Sequence, residues 1–376
     1  MSSKSSNSTA APPADTAGLP APIAELIRRG AALPAHPLAL DGAGRLDLVH
    51  QRALTRYYLD AGAGGVAVGV HTTQFAIRQQ GLYEPVLRIA AETAREWTDR
   101  PAALVAGVTG RTEQAVAEAA TARDLGYHAA LVNVAAFRDA DEADVLVHCR
   151  RVAQVMPIIG FALLPEVGGF HLSYEFWRAF AELDNVVAIK MAPFDRYRTL
   201  DIVRAVVDAE ASDRIILYTG NDDHIVLDLL APLAVRKTDG TEVTVRVRGG
   251  LLGHWSVWTR RAVELLDRIH ALPDGAPVPA ELLALDALVT VTNGAVYDAH
   301  NAFRGCIPGC LEVLRRQGLV SGVRCLDPAE QLSPGQAEQI DRVVRTHADL
   351  TDDAFVEANL KRWLADDGAA IDLIVA

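Results

Sequence analysis

Eight short apolar runs between residues 35 and 254 constrain the fold more than any other feature of this sequence. They cover residues 35–40, 65–70, 103–108, 129–134, 157–164, 186–192, 214–220 and 248–254. Apolar runs without polar alternation are typical of strands buried on both faces of a parallel sheet. Several of the segments between them carry apolar residues at helical spacing, which predicts helices at 48–62, 84–97, 112–126 and 141–155.

Strands that alternate with helices eight times predict an α/β protein with a (β/α)₈ TIM barrel. A doubly wound open sheet would usually have fewer strands and a glycine-rich phosphate turn after the first one. The stretch GAGRLD (42–47) is only a partial match to such a turn, and we interpret it as an ordinary loop between a strand and a helix.

The barrel is predicted to span residues 21–255, with additions before, within and after it. Residues 1–20 are rich in Ser, Ala and Pro and are expected to form a disordered tail. Asp239-Gly240 between β-branched residues predicts an inserted hairpin at about 234–247. Residues 256–376 are expected to form a helical region packed on the barrel.

Composition excludes several classes of partner. The formal net charge of -12 argues against binding to nucleic acid or to an anionic membrane surface. The sequence contains neither the apolar core of a secretory signal nor a run of about 18 apolar residues, so we expect no membrane span. Four cysteines are too few for a disulfide scaffold in 376 residues, and we expect reduced thiols in a cytoplasmic protein.

Lys190 is the residue with the clearest chemical meaning. It lies in the otherwise apolar run VVAIKMA, although lysine is rarely buried without a partner or a role. Burial disfavours the ammonium, so a buried lysine is partly a free amine at neutral pH and can attack a carbonyl carbon. The alternative is a side chain that extends to the barrel mouth or pairs with a carboxylate.

The segments around Lys190 resemble the dihydrodipicolinate synthase / N-acetylneuraminate lyase family of class I aldolases. DNVVAIKMAPFDRYR (184–198) is similar to the family's strand with the Schiff-base lysine, and Lys190 occupies that position. DRIILYTGNDD (213–223) and residues 311–344 are similar to its next strand and to its C-terminal helices. The resemblance covers about residues 34–341 and implies a barrel with C-terminal helices, assembled as a homodimer or homotetramer.

The sequence departs from this family at the loop that binds the substrate carboxylate. Family members usually carry Gly-Thr-Thr-Gly-Glu there, whereas this chain has GVHTTQF (69–75). The resemblance therefore assigns substrate binding to Thr72 and Thr73 without the glycine and the glutamate.

Independently of the resemblance, reactive groups in such barrels lie at the carboxyl ends of the strands. This rule names His71 and Thr72 after strand two, Lys190 in strand six and Asn221 and Asp222 after strand seven, and we expect Gly220 and Leu252 to contribute to binding at the same mouth. A helix N-cap is the structural alternative for Asn221 and Asp222.

The tyrosine that moves protons in this family has no counterpart after strand four. Ala136 takes its place, and Phe161-Ala162 replaces the usual Tyr-Asn of strand five. His71 is our first candidate for the missing proton carrier because imidazole titrates near neutrality, and Tyr218 is the second. A hydrogen-bonded loop histidine is the structural alternative for His71.

These observations predict an imine-forming lyase that acts on a small 2-oxo acid or a related carbonyl compound, and not the lysine-pathway synthase. A hydratase or dehydratase of a sugar-acid-like substrate is one alternative, and a catalytically inactive barrel that binds a small metabolite is another. We expect no cofactor and no metal, since Cys306 and Cys310 are read as buried thiols on one helix face.

Overall fold

A computed structural model of the chain describes residues 18–273 and 275–365. The predicted disordered tail therefore falls outside the described residues, apart from positions 18–20, and so does the C-terminal stretch from 366 onward.

Eight parallel strands form a barrel and confirm the predicted (β/α)₈ fold. The strands follow the order β1-β9-β7-β6-β5-β4-β3-β2, and a parallel bridge between Ala35 and Ala67 joins the two ends. β8 lies outside this ring and pairs antiparallel with β9. The strands are β1 (Ala32–Pro34), β2 (Gly65–Val68), β3 (Ala103–Val108), β4 (Ala129–Val132), β5 (Ile158–Leu163), β6 (Val186–Ala192), β7 (Ile216–Thr219), β8 (Pro232–Arg236) and β9 (Glu242–Leu252).

Helices surround the barrel and continue beyond it into a C-terminal layer. Their apolar faces pack on the outer side of the strands, as their helical spacing predicted. The helices are α1 (Ala21–Arg29), α2 (Leu48–Asp60), α3 (Tyr83–Trp97), α4 (Thr112–Asp124), α5 (Glu142–Ala153), α6 (Tyr174–Ala181), α7 (Arg196–Asp208), α8 (Ile225–Leu230), α9 (Thr259–His270), α10 (Ala280–Val296), α11 (Cys306–Arg316), α12 (Gln336–Thr346) and α13 (Asp353–Trp363). Among the described residues, no helix has both the length and the apolar character needed to cross a membrane.

The barrel interior is a separate apolar cluster that is closed at one end by α1. Ile23 and Ile27 of α1 pack against inward-facing side chains of the strands. Tyr218 lies on the same interior surface, where its hydroxyl donates to the Ile27 carbonyl and accepts from the Ala31 N–H. The closed end leaves the opposite mouth, at the carboxyl ends of the strands, as the place for a site.

The first strand is shorter and earlier than the run at 35–40 predicted. β1 ends at Pro34, and Pro37 follows soon after. Proline has no N–H for a strand ladder, so the pairing stops there. Leu38 and Leu40 are nevertheless buried, because they pack in the outer core without forming a strand. An apolar run reports burial, and burial alone does not distinguish a strand from a packed loop.

The hairpin between strands seven and eight is continuous with the barrel. β8 and the first half of β9 pair from Pro232↔Arg246 to Arg236↔Glu242, and Asp239-Gly240 lies in the turn. The second half of β9 then pairs with β7 and β1 as the eighth barrel strand.

Candidate active site

Lys190 lies in the middle of β6 and points into the barrel interior. It pairs in register with Phe161 of β5 and with Tyr218 of β7. Its nitrogen lies 4.3 Å from the centre of the Phe161 ring, on the ring face. Only 9% of Lys190 is exposed, and it lines a cavity at the barrel mouth. Among the described carboxylates, none has an oxygen within 4.0 Å of this nitrogen, so the amine is not held in an ion pair.

The surroundings of Lys190 increase the fraction of neutral amine, because they lower its pKa to about 8. Burial lowers the pKa of Lys190, and the nearby Asp222 carboxylate only partly opposes this shift. Burial raises the pKa of Asp222, and the ammonium of Lys190 and the His254 N–H act against that rise. The two groups titrate as a coupled pair, and burial favours the uncharged state of the pair, with a neutral amine and a protonated carboxylate.

The cavity beside Lys190 is small and mostly apolar. It offers about 50 Å³ to the centres of water-sized molecules. One water needs about 10–15 Å³ on that measure, so the cavity has room for several waters or a small ligand. Its polar lining comprises His71, Thr72, Lys190, Asp222, Tyr297 and Cys306, and its larger apolar lining residues are Val70, Phe161, Leu163, Leu164, Val167, Phe194 and Phe303.

The loop after β2 brings His71 and Thr72 to the cavity and leaves Thr73 behind it. The three residues form a 3₁₀ turn, and the Thr73 hydroxyl donates to the His36 carbonyl and accepts from the Gly69 N–H. The Thr72 hydroxyl donates to the Ala35 carbonyl. The backbone N–H groups of His71 and Thr72 have no hydrogen-bond acceptor among the described residues, as expected at the start of a helical turn.

His71 lies close enough to Lys190 for the ammonium charge to affect the pKa of the imidazole. Desolvation, followed by the repulsion of the Lys190 ammonium, lowers the pKa of His71 to about 4. The imidazole is therefore neutral at neutral pH. A base with so low a pKa is poorly matched to proton transfer near pH 7, where a catalytic group performs best with a pKa close to the working pH.

In the turn after β7, Gly220 leaves room for the Lys190 side chain, whereas Asn221 holds the turn together. A Cβ on Gly220 would lie 2.6 Å from Cε of Lys190, so only glycine leaves room for the lysine side chain. Asn221 does not line the cavity. Its amide oxygen accepts from the Phe194 N–H, and its amide nitrogen donates to Thr199 and Asp228. Asn221 thus fixes the turn that carries Asp222.

Asp222 is held at the cavity by the loop after β9. One of its carboxylate oxygens accepts from the His254 N–H at 3.0 Å. Leu252, at the end of β9, is fully buried and outside the cavity lining, and its carbonyl accepts from the Ala35 N–H. Its backbone carbonyl therefore helps to close the barrel between β9 and the segment after β1.

Tyr297 and Cys306 reach the cavity from the C-terminal layer; the sequence did not point to Tyr297, and Cys306 was interpreted only as a buried thiol. Tyr297 immediately follows α10, is only 6% exposed, and lies close to the Asp222 carboxylate and to the Cys306 thiol. A Cβ on Gly253 would lie 1.7 Å from the Tyr297 hydroxyl oxygen, so this glycine provides the space for that oxygen. A glycine directly after the last barrel strand was the available signal, but it did not identify the group that fills the space.

The place of the family tyrosine holds no hydroxyl. Ala136 lies in a 3₁₀ turn after β4, outside the cavity lining, and the ring of the neighbouring Phe137 packs at a tilt against His148. Phe161 supplies only an aromatic face below the Lys190 amine. A hydroxyl reaches the cavity from α10 instead.

The model of the Dihydrodipicolinate synthetase family matches residues 31–233, more than half of the chain, including β6 and Lys190. The chain belongs to this family. Among curated relatives, the N-acetylneuraminate lyase of Citrobacter koseri is 27% identical over 203 residues, and the 4-hydroxy-tetrahydrodipicolinate synthase of Prochlorococcus marinus is 27% identical over 210 residues. These matches cover 53% and 55% of the chain but 65% and 66% of the relatives, just under two thirds of their length.

Solved structures of the Dihydrodipicolinate synthetase family have the same fold as this chain. The dihydrodipicolinate synthase of Acinetobacter baumannii superimposes with a TM-score of 0.69 at 17% identity. The superposition covers 85% of this chain and 99% of that one. At this identity the likeness concerns the fold, which the resemblance of the segments around Lys190 predicted.

Proposed function

We propose that this protein is a class I lyase that forms a Schiff base between Lys190 and a small 2-oxo acid or a related carbonyl compound. The observation that carries the proposal is a buried lysine without an ion pair, on the wall of a cavity that Asp222 also lines. A neutral amine is the form that attacks a carbonyl carbon. The resulting iminium withdraws electrons from the adjacent carbon and eases C–C or C–O cleavage.

A carboxylate on the substrate would have partners on the loop after β2. The N–H groups of His71 and Thr72 are without acceptors among the described residues, and they begin a 3₁₀ turn at the cavity wall. Paired backbone N–H groups at the start of a helical turn favour an anion. This arrangement supports a 2-oxo acid, with its carboxylate on the turn and its carbonyl carbon at Lys190.

The rest of the lining favours a compact substrate with an apolar remainder. Leu163, Val167 and Phe303 belong to the mostly apolar lining of the cavity. Hydroxyl groups buried against such side chains would lose their hydrogen bonds to water without replacement. A sugar-acid-like substrate, the alternative considered from sequence, is therefore disfavoured in this arrangement.

Reductive trapping tests the imine directly. The chain has four lysines, at positions 4, 190, 237 and 361, so an adduct is readily located by peptide mass spectrometry. The protein is incubated with a panel of 2-oxo acids beginning with pyruvate and is then reduced with borohydride. We expect an adduct on Lys190 that is absent in Lys190→Ala.

Lys237→Ala is the matched control, because Lys237 lies in the hairpin turn and pairs with Glu210 on the surface. This variant should be trapped as the wild type is. An adduct that persists in Lys190→Ala contradicts the proposal. The absence of any adduct across the panel favours the other candidate, an inactive barrel that binds a metabolite without covalent chemistry.

We further propose that the chain assembles with copies of itself in the cytoplasm. α10 exposes three large apolar side chains, Leu283, Leu288 and Val291, each at least 40% exposed. A group of apolar side chains on one surface helix is typical of an interface. All four cysteines are buried free thiols, which is compatible with a reducing compartment.

A further inference from the structure

We propose that Tyr297 and Asp222 form the proton relay of the Lys190 site, with the hydroxyl delivered by the C-terminal helical layer. The inference rests on the proposed Schiff-base function and assigns a role to a side chain that lies far from the barrel strands in sequence. Tyr297 would thereby supply the hydroxyl that neither β4 nor β5 brings to the cavity.

The geometry places Tyr297 where such a group is needed. Its hydroxyl lies against Gly253, next to the loop whose His254 N–H binds Asp222. That hydrogen bond uses one of the two Asp222 oxygens, and Asp222 also lines the cavity. Tyr297, Asp222 and Lys190 all line the same small cavity.

The electrostatics agree with a chain from Lys190 through Asp222 to Tyr297. Lys190 and Asp222 each influence the pKa of the other, and Asp222 and Tyr297 do the same. Burial and the Asp222 charge raise the pKa of Tyr297 far above its usual value, so Tyr297 stays protonated. Tyr297 therefore donates one proton and accepts another in the same step, without becoming a phenolate. Asp222, with its raised pKa, is the group that is protonated between the steps.

The steps balance when Lys190 starts as the neutral amine and Asp222 as the protonated acid. The neutral amine adds to the carbonyl carbon, a C–N bond forms, and a proton moves from nitrogen to oxygen to give a carbinolamine. Tyr297 protonates that hydroxyl and recovers a proton from Asp222, so that water leaves and an iminium remains beside the Asp222 carboxylate. Asp222 then accepts a proton, through Tyr297, from the carbon next to the iminium. The C–H electrons form the C=C bond, the C=N pair returns to nitrogen, and a neutral enamine results.

Other groups near the cavity are less suited to this task. His71 has its pKa lowered to about 4, which makes it a weak base. The Tyr218 hydroxyl bonds to the Ile27 carbonyl and the Ala31 N–H at the closed end of the barrel. The Thr72 hydroxyl donates its proton to the Ala35 carbonyl.

The test separates imine formation from proton transfer, with pyruvate as the probe. Borohydride trapping after equilibration reports the imine, and exchange of the pyruvate methyl protons in D₂O, followed by NMR, reports the enamine. In Tyr297→Phe we expect the Lys190 adduct to persist while the exchange rate falls by about 100-fold, the lower range for loss of a general acid–base group. Asp222→Asn should lower the exchange rate in the same way and serves if Tyr297→Phe does not fold.

Tyr127→Phe is the matched control, because it removes another buried hydroxyl, which donates to the Leu87 carbonyl outside the cavity. Its exchange rate should equal that of the wild type. Unchanged exchange in Tyr297→Phe overturns the relay but not the Schiff-base function. A wild type that is trapped by pyruvate without exchanging its methyl protons also overturns the relay. The absence of an adduct in the wild type overturns both proposals.

Discussion

Gly253→Ala tests the position of the Tyr297 hydroxyl without relying on any activity. The added Cβ would lie 1.7 Å from the hydroxyl oxygen and 3.0 Å from the ring carbon that carries it, whereas ordinary contacts begin at 3.4 Å. Either the tyrosine ring or the loop after β9 must therefore move by more than an ångström. The ring is buried and attached at the end of α10, so moving it costs free energy of folding. Moving the loop instead would disturb the end of a barrel strand.

The expected loss is that of an overpacked core, about 1–3 kcal/mol in the free energy of unfolding. Chemical denaturation measures it. Gly322→Ala is the matched control, because a Cβ there meets no atom within 4 Å and the backbone angle is one that alanine adopts. That variant should keep or slightly gain stability, since alanine restricts the unfolded chain.

The double variant Gly253→Ala/Tyr297→Phe isolates the contact. Removing the hydroxyl leaves the ring carbon as the nearest atom, at a distance that small adjustments accommodate. Tyr297→Phe should therefore recover about 1 kcal/mol or more in the Gly253→Ala background, although it does not stabilise the wild type. Additive losses in this double-mutant cycle, or a Gly253→Ala protein as stable as the wild type, would refute the placement of the hydroxyl.

Two further predictions concern pH and assembly. Burial lowers the pKa of His36 to about 4 in the folded protein. Between pH 6.5 and 4 the unfolded chain therefore binds more protons than the folded chain. The free energy of unfolding decreases as the pH falls through this window. The free energy of unfolding should fall more steeply in the wild type than in His36→Gln, by up to about 1.4 kcal/mol per pH unit, and parallel denaturation profiles would contradict this. Leu288→Lys should shift the sedimentation coefficient towards that of the monomer, because it places a charge in the proposed α10 interface. Val147→Lys, on the exposed face of α5, is the control and should leave the coefficient unchanged. A mass unchanged by Leu288→Lys argues against that interface.

The site was predictable where a side chain belongs to a barrel strand or to the loop directly after it. Lys190, His71, Thr72 and Asp222 were all named from the rule that functional groups follow the carboxyl ends of the strands, and all four line one cavity. Thr73, Asn221 and Leu252 satisfied the same rule but lie outside the cavity lining, since the rule fixes the loop and not the direction of each side chain.

The sequence by itself determined the barrel and the strand that carries Lys190, because burial on both faces leaves an apolar run in the chain and local spacing reports the adjoining helices. The tertiary structure alone decided that α10 and α11 bring Tyr297 and Cys306 to the barrel mouth and that Gly253 makes room for a hydroxyl. Helical periodicity identifies which face is buried but not which distant surface covers it. The packing of the C-terminal layer on the barrel supplies that missing information.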